Sequence, residues 1–253
     1  MAEREEIVRF CDELLDVAAF SDYGPNGLQV PGTTGVNRVA TAVSAHRESI
    51  EAAVQADAQL LLVHHGLFWD FHPRALSPQM AERLRIALGA GLSIAGYHLP
   101  LDAHPEVGNN ALLCRQFGFE LESGAIGQAK GRSVGAIGRR EDPVPLASLV
   151  TEIEGGLARE PLVFAEGPEE ITSIGIVSGS AASDIHTAIG LGLDAYLTGE
   201  PSEHVMADAR EGGINFIAAG HYATEVCGIR RLGELAAEHF DIEHRFIDIP
   251  NPI

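Results

Sequence analysis

The chain has 253 residues, 45% of them hydrophobic, with 36 acidic against 17 basic side chains and a formal charge of −19. That length can bury a full core, as one large domain or as two lobes. Such a surface repels nucleic acid phosphates at ordinary salt, and no apolar run approaches the roughly 18 residues a membrane span needs.

The N-terminal MAEREEIVRF is charged and lacks the apolar core of a signal peptide, so a soluble, cytoplasmic protein without a membrane partner is expected. Lys130 is the only lysine. An excess of acidic groups is best tolerated where salt screens it over a few ångströms, which points to a salt-adapted host. Cys11, Cys114 and Cys227 form no CxxC pair, suggesting neither a disulfide framework nor a thiolate zinc site. They read as small buried hydrophobes.

In chain order, Glu3 to Val17 places Ile7, Phe10, Cys11, Leu14 and Leu15 at helical spacing. The stretch YGPNGLQVPG, Tyr23 to Gly32, reads as loop. Arg38 to Ala45 is strand-like and Glu48 to Ala56 helical. Leu60 to His65 is a buried strand that stops at two histidines, with Gly66 where the chain turns. A long connection, Phe68 to Pro78, precedes a helix over Gln79 to Ala90, closed by Gly91. Leu92 to Tyr97 is a strand leading to His98. The loop YHLPLDAHPEVGNN, Tyr97 to Asn110, is followed by a helix from Asn110 to Phe117.

Glycines cluster over Ser123 to Arg132, marking a lobe boundary. The first lobe is expected to comprise 1–124 plus 220–253, and the second 125–219. In the second, strands are predicted at Ser133–Gly138, Leu162–Phe164, Ile171–Ser178, Asp194–Thr198 and Ile214–Ala218. Helices are predicted at Leu146–Gly155, Ala181–Ile189 and Glu203–Arg210. A long helix over Gly220 to Phe240 contains Gly228 and Gly233, each costing about 1 kcal/mol. A last strand is predicted at His244–Ile249. The pattern of Val39–Gly66 recurs weakly in Ile174–Pro201: strand, small polar turn, helix, apolar strand, polar turn. The reading is an α/β protein of two similar lobes facing each other.

Ligands gather at the carboxyl ends of strands in open α/β sheets. His64 and His65 end one strand, Asp102 follows the next, His221 opens the long helix, and Glu225 lies one turn on. Consecutive Cα atoms lie about 3.8 Å apart, close to the spacing of two-metal sites. Three imidazoles and two carboxylates make a ligand set for two divalent ions, one carboxylate bridging. Nitrogen and oxygen donors without thiolate suit Zn, Fe, Mn, Co or Ni.

VHHGLFW (Val63–Trp69), YHLPLDAHPEVGNN (Tyr97–Asn110), YLTGEPSEH (Tyr196–His204) and GHYATEVCGIRRL (Gly220–Leu232) resemble, in order, the four motifs of the GTP cyclohydrolase 1 type 2 homologue family, Nif-three-like dinuclear metal-centre proteins. The resemblance implies two α/β lobes, a toroidal homohexamer and a dinuclear site facing its interior. It assigns His64 and His221 to one metal, His65 and Asp102 to the other, and Glu225 as the bridge. The chain has no room for the domain that longer members insert, and so resembles the short form.

His98 is the candidate acid–base group, or a residue that orients Asp102, and Glu225 joins it as a catalytic candidate. Glu200, His204 and, more weakly, His104 are candidates for contact with a small-molecule or nucleotide substrate. Phe68 and Trp69 line the pocket or pack at a subunit contact. No P-loop, GxGxxG or GxSxG occurs, and Ser178-Gly179-Ser180 is a strand-end turn without the hydrolase elbow. The expected activity is metal-dependent hydrolysis, cyclohydrolase-like or phosphoester-cleaving. A metal-bearing hexameric scaffold or regulatory partner without turnover is the alternative.

Overall fold

In the computed structural model, which describes residues 1–253, Leu60–Val63 are fully buried within the strand Leu60–His65. This strand is the centre of a five-stranded sheet ordered Glu243–Phe246, Arg38–Ser44, Leu60–His65, Ser93–Gly96, Gly27–Val30. The first four strands run parallel and Gly27–Val30 is antiparallel at the edge. Parallel strands covered on both faces need continuous apolar sequence, which is why LLLV lies in the middle. Leu61, Val63 and Ile94 pack with Ile50, Ala53 and Ala87 of the helices Arg47–Gln55 and Pro78–Ala90. Burying each large aliphatic side chain contributes about 1.5–3 kcal/mol. The second helix begins where Ser77 Oγ accepts from Met80 N at 3.1 Å and ends at Gly91 with φ +66°, as its cap residues predict.

The chain divides into two compact units, Met1–Leu101 with Gly228–Ile249 and Asp102–Cys227 with Pro250–Ile253. The divisions expected from the sequence are at 124/125 and 219/220, whereas residues 102–124, 220–227 and 250–253 fall in the second unit. In the second unit the sheet order is Leu162–Ala165, Asn215–Ala218, Ala195–Thr198, Glu170–Val177, Ala136–Pro145, Glu120–Glu122. Its three inner strands Asn215–Ala218, Ala195–Thr198 and Glu170–Val177 are parallel, and the others antiparallel. The helices Asn109–Gln116 and Leu146–Leu157 place Leu113, Cys114, Leu149 and Ile153 against Ile174, Ile176 and Leu197.

The internal repeat corresponds to matching strand–helix–strand units. Val39 pairs with Leu60 and Ile174 with Ala195, the same separation along the chain, and both pairings are parallel. The α/β class and the two-unit organisation agree with the sequence reading.

Three local expectations need correction. The stretch read as loop from Tyr23 to Gly32 contains the strand Gly27–Val30. As a short edge strand it tolerates neighbouring prolines and Gly27 at φ +88°. The Tyr97–Asn110 loop contains a short helix, Leu99–Ala103. The strand expected at Ser133–Gly138 begins later and runs longer, Ala136–Pro145. The glycines of the helix His221–Phe240 have a packing reason at Gly233, where a Cβ would lie 2.3 Å from Thr41 Cγ2. None of the three cysteines is in a disulfide. Burial raises the Cys11 thiol far above its ordinary range and pushes Cys114 up to about 12. No helix is long and apolar enough to cross a membrane.

Candidate metal centre

His64 is fully buried at the carboxyl end of the central strand, and its Nδ1 lies 2.9 Å from the Tyr97 carbonyl. A carbonyl only accepts, so Nδ1 carries the proton and Nε2 of the neutral ring is the basic, ligating nitrogen. His65 Nδ1 lies 3.0 Å from Ser44 Oγ, its register partner on the adjacent strand. His98 Nδ1 lies 2.7 Å from Asp22 Oδ1. Three imidazoles are thus each held through Nδ1, and one ring nitrogen from each lies within 4.8 Å of the other two. Ring centroids are 4.7 Å apart for His64–His65 and 5.2 Å for His64–His98. Trp69 meets His98 edge-on at 5.1 Å. Trp69 also lines a cavity of about 600 Å³ with Phe68, Arg74, Met80 and Arg83.

Gln29, from the edge strand, holds the turn after the paired histidines. Its Oε1 accepts from Leu67 N at 2.7 Å and its Nε2 donates to the Pro25 carbonyl at 2.7 Å. A Cβ at Gly66 would lie 2.2 Å from Gln29 Nε2. A side chain at Gly66 would therefore displace the Gln29 amide from its bonds to Leu67 and Pro25.

In the second unit, the turn Ser178–Gly179 organises the acidic ligand candidates. Ser178 Oγ donates to Asp102 Oδ1 at 3.1 Å, and Asn109 Nδ2 donates to the same oxygen at 2.8 Å. Ser178 N donates to Asn110 Oδ1 at 2.7 Å. Gly179, at φ +68°, packs so closely that a Cβ would lie 2.5 Å from Glu225 Oε1 and 3.2 Å from His221 Nε2. Its N–H donates to Thr224 Oγ1 at 3.2 Å.

His221 Nε2 lies 3.2 Å from Glu225 Oε1, one helical turn on, and Nδ1 bonds Glu200 Oε1. Burial pulls the His221 pKa down, but the hydrogen bonds and charges of Glu225 and Glu200 outweigh it and raise it to about 9. Glu225 is itself buried. A buried carboxylate beside an imidazole that is oriented from behind by a second carboxylate is able to hold a metal ion, the second carboxylate fixing the ring.

The three substrate-contact candidates each have a hydrogen-bond partner. Glu200 is the partner of His221 Nδ1. His104 Nδ1 accepts from Glu106 N at 3.1 Å and Val107 N at 3.2 Å, shaping its own turn. His204 bonds Asp208 on the helix Val205–Gly212. Sequence reasoning did not single out Asp22, Gln29, Ser44, Asn109 or Ser178. Their bonds to the ligand candidates, to His98 or to the adjoining turn leave no periodic signal in the sequence, although Asp22 does stand at the head of a Gly-Pro-Asn-containing turn.

Residues 2–252 match the family described as Duf34/NIF3 (NGG1p interacting factor 3). A Pseudomonas aeruginosa protein named GTP cyclohydrolase 1 type 2 homolog is 45% identical over 97% of each chain. A solved structure described as protein ybgI, of unknown function, superposes with TM-score 0.93 at 40% identity, covering 99% of this chain and 100% of that one. The TTHA1606 structure from Thermus thermophilus gives TM-score 0.83 at 32% identity, covering 99% and 100%.

Proposed function

Because this chain belongs to the Duf34/NIF3 family, we propose that it is a metal-dependent hydrolase whose ligand set is His64, His65, Asp102, His221 and Glu225. The observation that carries the reading is the outer support of the histidines: the Tyr97 carbonyl behind His64, Ser44 behind His65 and Glu200 behind His221. Such contacts fix ring orientation and raise ligand basicity. The donor set fits Zn, Fe, Mn, Co or Ni, since it offers imidazole and carboxylate without thiolate. When bound, two divalent ions supply Lewis-acid polarisation and an activated water at neutral pH.

The protein's own groups do the rest. His64, with Nδ1–H given to the Tyr97 carbonyl, presents Nε2 as a lone pair. Asp102 is oriented through Oδ1 by Ser178 and Asn109. His98, backed by Asp22, is the group that takes up or returns a proton at its Nε2, as an imidazole oriented by a carboxylate does in general acid–base catalysis. Trp69 stands against His98 and walls the space for an organic substrate. We propose a purine nucleotide or a phosphoester as that substrate, with a homohexamer as the working assembly.

The test is metal analysis of the purified protein, followed by a hydrolysis screen of the loaded form on GTP, nucleotide monoesters and phosphodiesters in molar KCl. Two ions per chain held by the five-residue set, and turnover lost in Glu225→Ala, are expected. Two ions without turnover on any substrate would move the protein to the role of a metal-bearing scaffold. No ion after reloading would overturn the ligand set.

A further inference from the structure

The second unit carries a cluster of metal-binding residue types that the proposed five-residue set does not use. His204 is the N-cap residue of the helix Val205–Gly212, yet it makes no side-chain cap bond. Its Nδ1 instead reaches one turn along to Asp208 Oδ2, at 2.6 Å. His186, on the helix Ile185–Gly190, brings Nε2 to 3.4 Å from the same oxygen. The two imidazoles stack nearly parallel, 11° apart with centroids 6.2 Å apart. The three donor atoms lie within 4.8 Å of one another.

We infer that His186, His204 and Asp208 form a separate mononuclear site for a divalent transition-metal ion. Zinc holds nitrogen at about 2.0–2.1 Å and carboxylate oxygen at about 2.0–2.2 Å, so neighbouring donors around a tetrahedral ion lie about 3.3 Å apart. The His186–Asp208 separation of 3.4 Å already has that value. At the same length it is a poor hydrogen bond, so hydrogen bonding alone gives little reason for the second imidazole to stand there. The side chains of His186 and His204 are 62% and 42% exposed. An ion therefore enters from solvent and keeps water in its remaining positions, and rotation of these exposed side chains accommodates the shorter pair.

The adjacent cation does not compete for the carboxylate, because Arg210 bonds Glu166 through both Nε and an Nη. The net charge of −19 raises the local concentration of cations. Two imidazoles with one carboxylate select Zn, Ni, Co or Cu(II) over Mg or Ca. Bound there, the ion links the helix Ile185–Gly190 to the helix Val205–Gly212 and stabilises the unit by mass action.

The experiment is equilibrium dialysis of the metal-stripped full chain against Ni²⁺, with nickel counted by mass spectrometry. The chains compared are wild type, His186→Ala, His186→Gln and His204→Ala, each also in a His64→Ala/His65→Ala background. Circular dichroism and the metal-free Tm identify any variant that has lost its fold. One ion per chain should be lost, or bound at least tenfold more weakly, in each of the three variants in both backgrounds. Because the exposed His186→Gln change preserves volume, it keeps the comparison valid if an alanine variant unfolds. Equal nickel uptake with and without His186 would overturn the site and leave a hydrogen-bonded His204–Asp208 pair on one helix. Failure of the five-residue ligand set would show differently, as no change in nickel on removing His64 and His65.

Discussion

The carboxylate of Asp22, only 2% exposed, receives His98 Nδ1 at 2.7 Å although 76 residues separate the two in the chain. The same carboxylate accepts from Tyr23 N, Asn26 Nδ2 and Leu99 N. It therefore both orients the imidazole and holds the backbone that follows it. Burial alone would raise the Asp22 pKa, but the His98 hydrogen bond and charge, with the bonds from Asn26 and Tyr23, hold it below the ordinary carboxylate range.

Asp22→Asn should therefore separate two effects. It should destabilise the protein by about 1–2 kcal/mol, since charge-assisted bonds become neutral ones, and lower kcat with little change in KM. A folded native pKa below the unfolded value of about 3.9 means the Asp22 contribution is full above that value and lost as pH falls through the folded pKa. Acid unfolding of wild type and Asp22→Asn should accordingly converge at low pH. Urea unfolding at stepped pH values measures this, and a stability difference that persists to the lowest pH would contradict it.

Gly179→Ala should be disproportionately harmful for a change of one methyl. The position is left-handed, and the added carbon would lie 2.5 Å from Glu225 Oε1. Left-handed backbone costs an L-residue roughly 1–2 kcal/mol, and Glu225 must also move. The expected result is a lower Tm and reduced metal content, read together by thermal scan and metal analysis. Wild-type metal content in a folded Gly179→Ala protein would remove Glu225 from the ligand set.

In the metal-free protein, His221 should titrate near 9, raised by Glu225 and Glu200 against the opposing effect of burial. Its contribution to stability is then full below the unfolded value of about 6.5 and lost as pH rises through about 9. A metal must displace that proton, so affinity at this ligand should rise with pH up to the same value. Imidazole NMR titration of wild type and Glu225→Gln tests the cause: the variant should titrate lower. An unchanged midpoint would assign the shift elsewhere.

The charge of −19 implies self-repulsion that salt relieves. Tm should rise from low to molar KCl. A flat or falling Tm would remove the inference of a salt-adapted host.

Much of this architecture was legible in the chain because strands and helices are encoded within short windows. LLLV before two histidines, the Gly91 stop of one helix, and the repeated strand–helix–strand pattern all carry local signals of burial and turn chemistry. The histidine candidates were visible for the same reason, since His64 and His65 end a strand and His221 begins a helix. The edge strand Gly27–Val30 was not, because its glycines and neighbouring prolines look like loop and only pairing with Ser93–Gly96 makes it a strand.

What only tertiary structure decided is the support around each candidate. Asp22 behind His98, Ser178 on Asp102, Gln29 under the His64–His65 turn and Glu200 on His221 all act across long separations. Side-chain hydrogen bonds of this kind depend on where folding brings two distant backbone segments, and a polar residue in a loop has the same local sequence whether or not a partner waits for it. The sequence by itself offered residues of metal-binding type as candidates, His64 and His65 at a strand end and His221 at a helix start. The fold determined the tautomer of His64, the raised proton affinity of His221 and the partners that hold both, because those depend on burial and on neighbours that no local window contains.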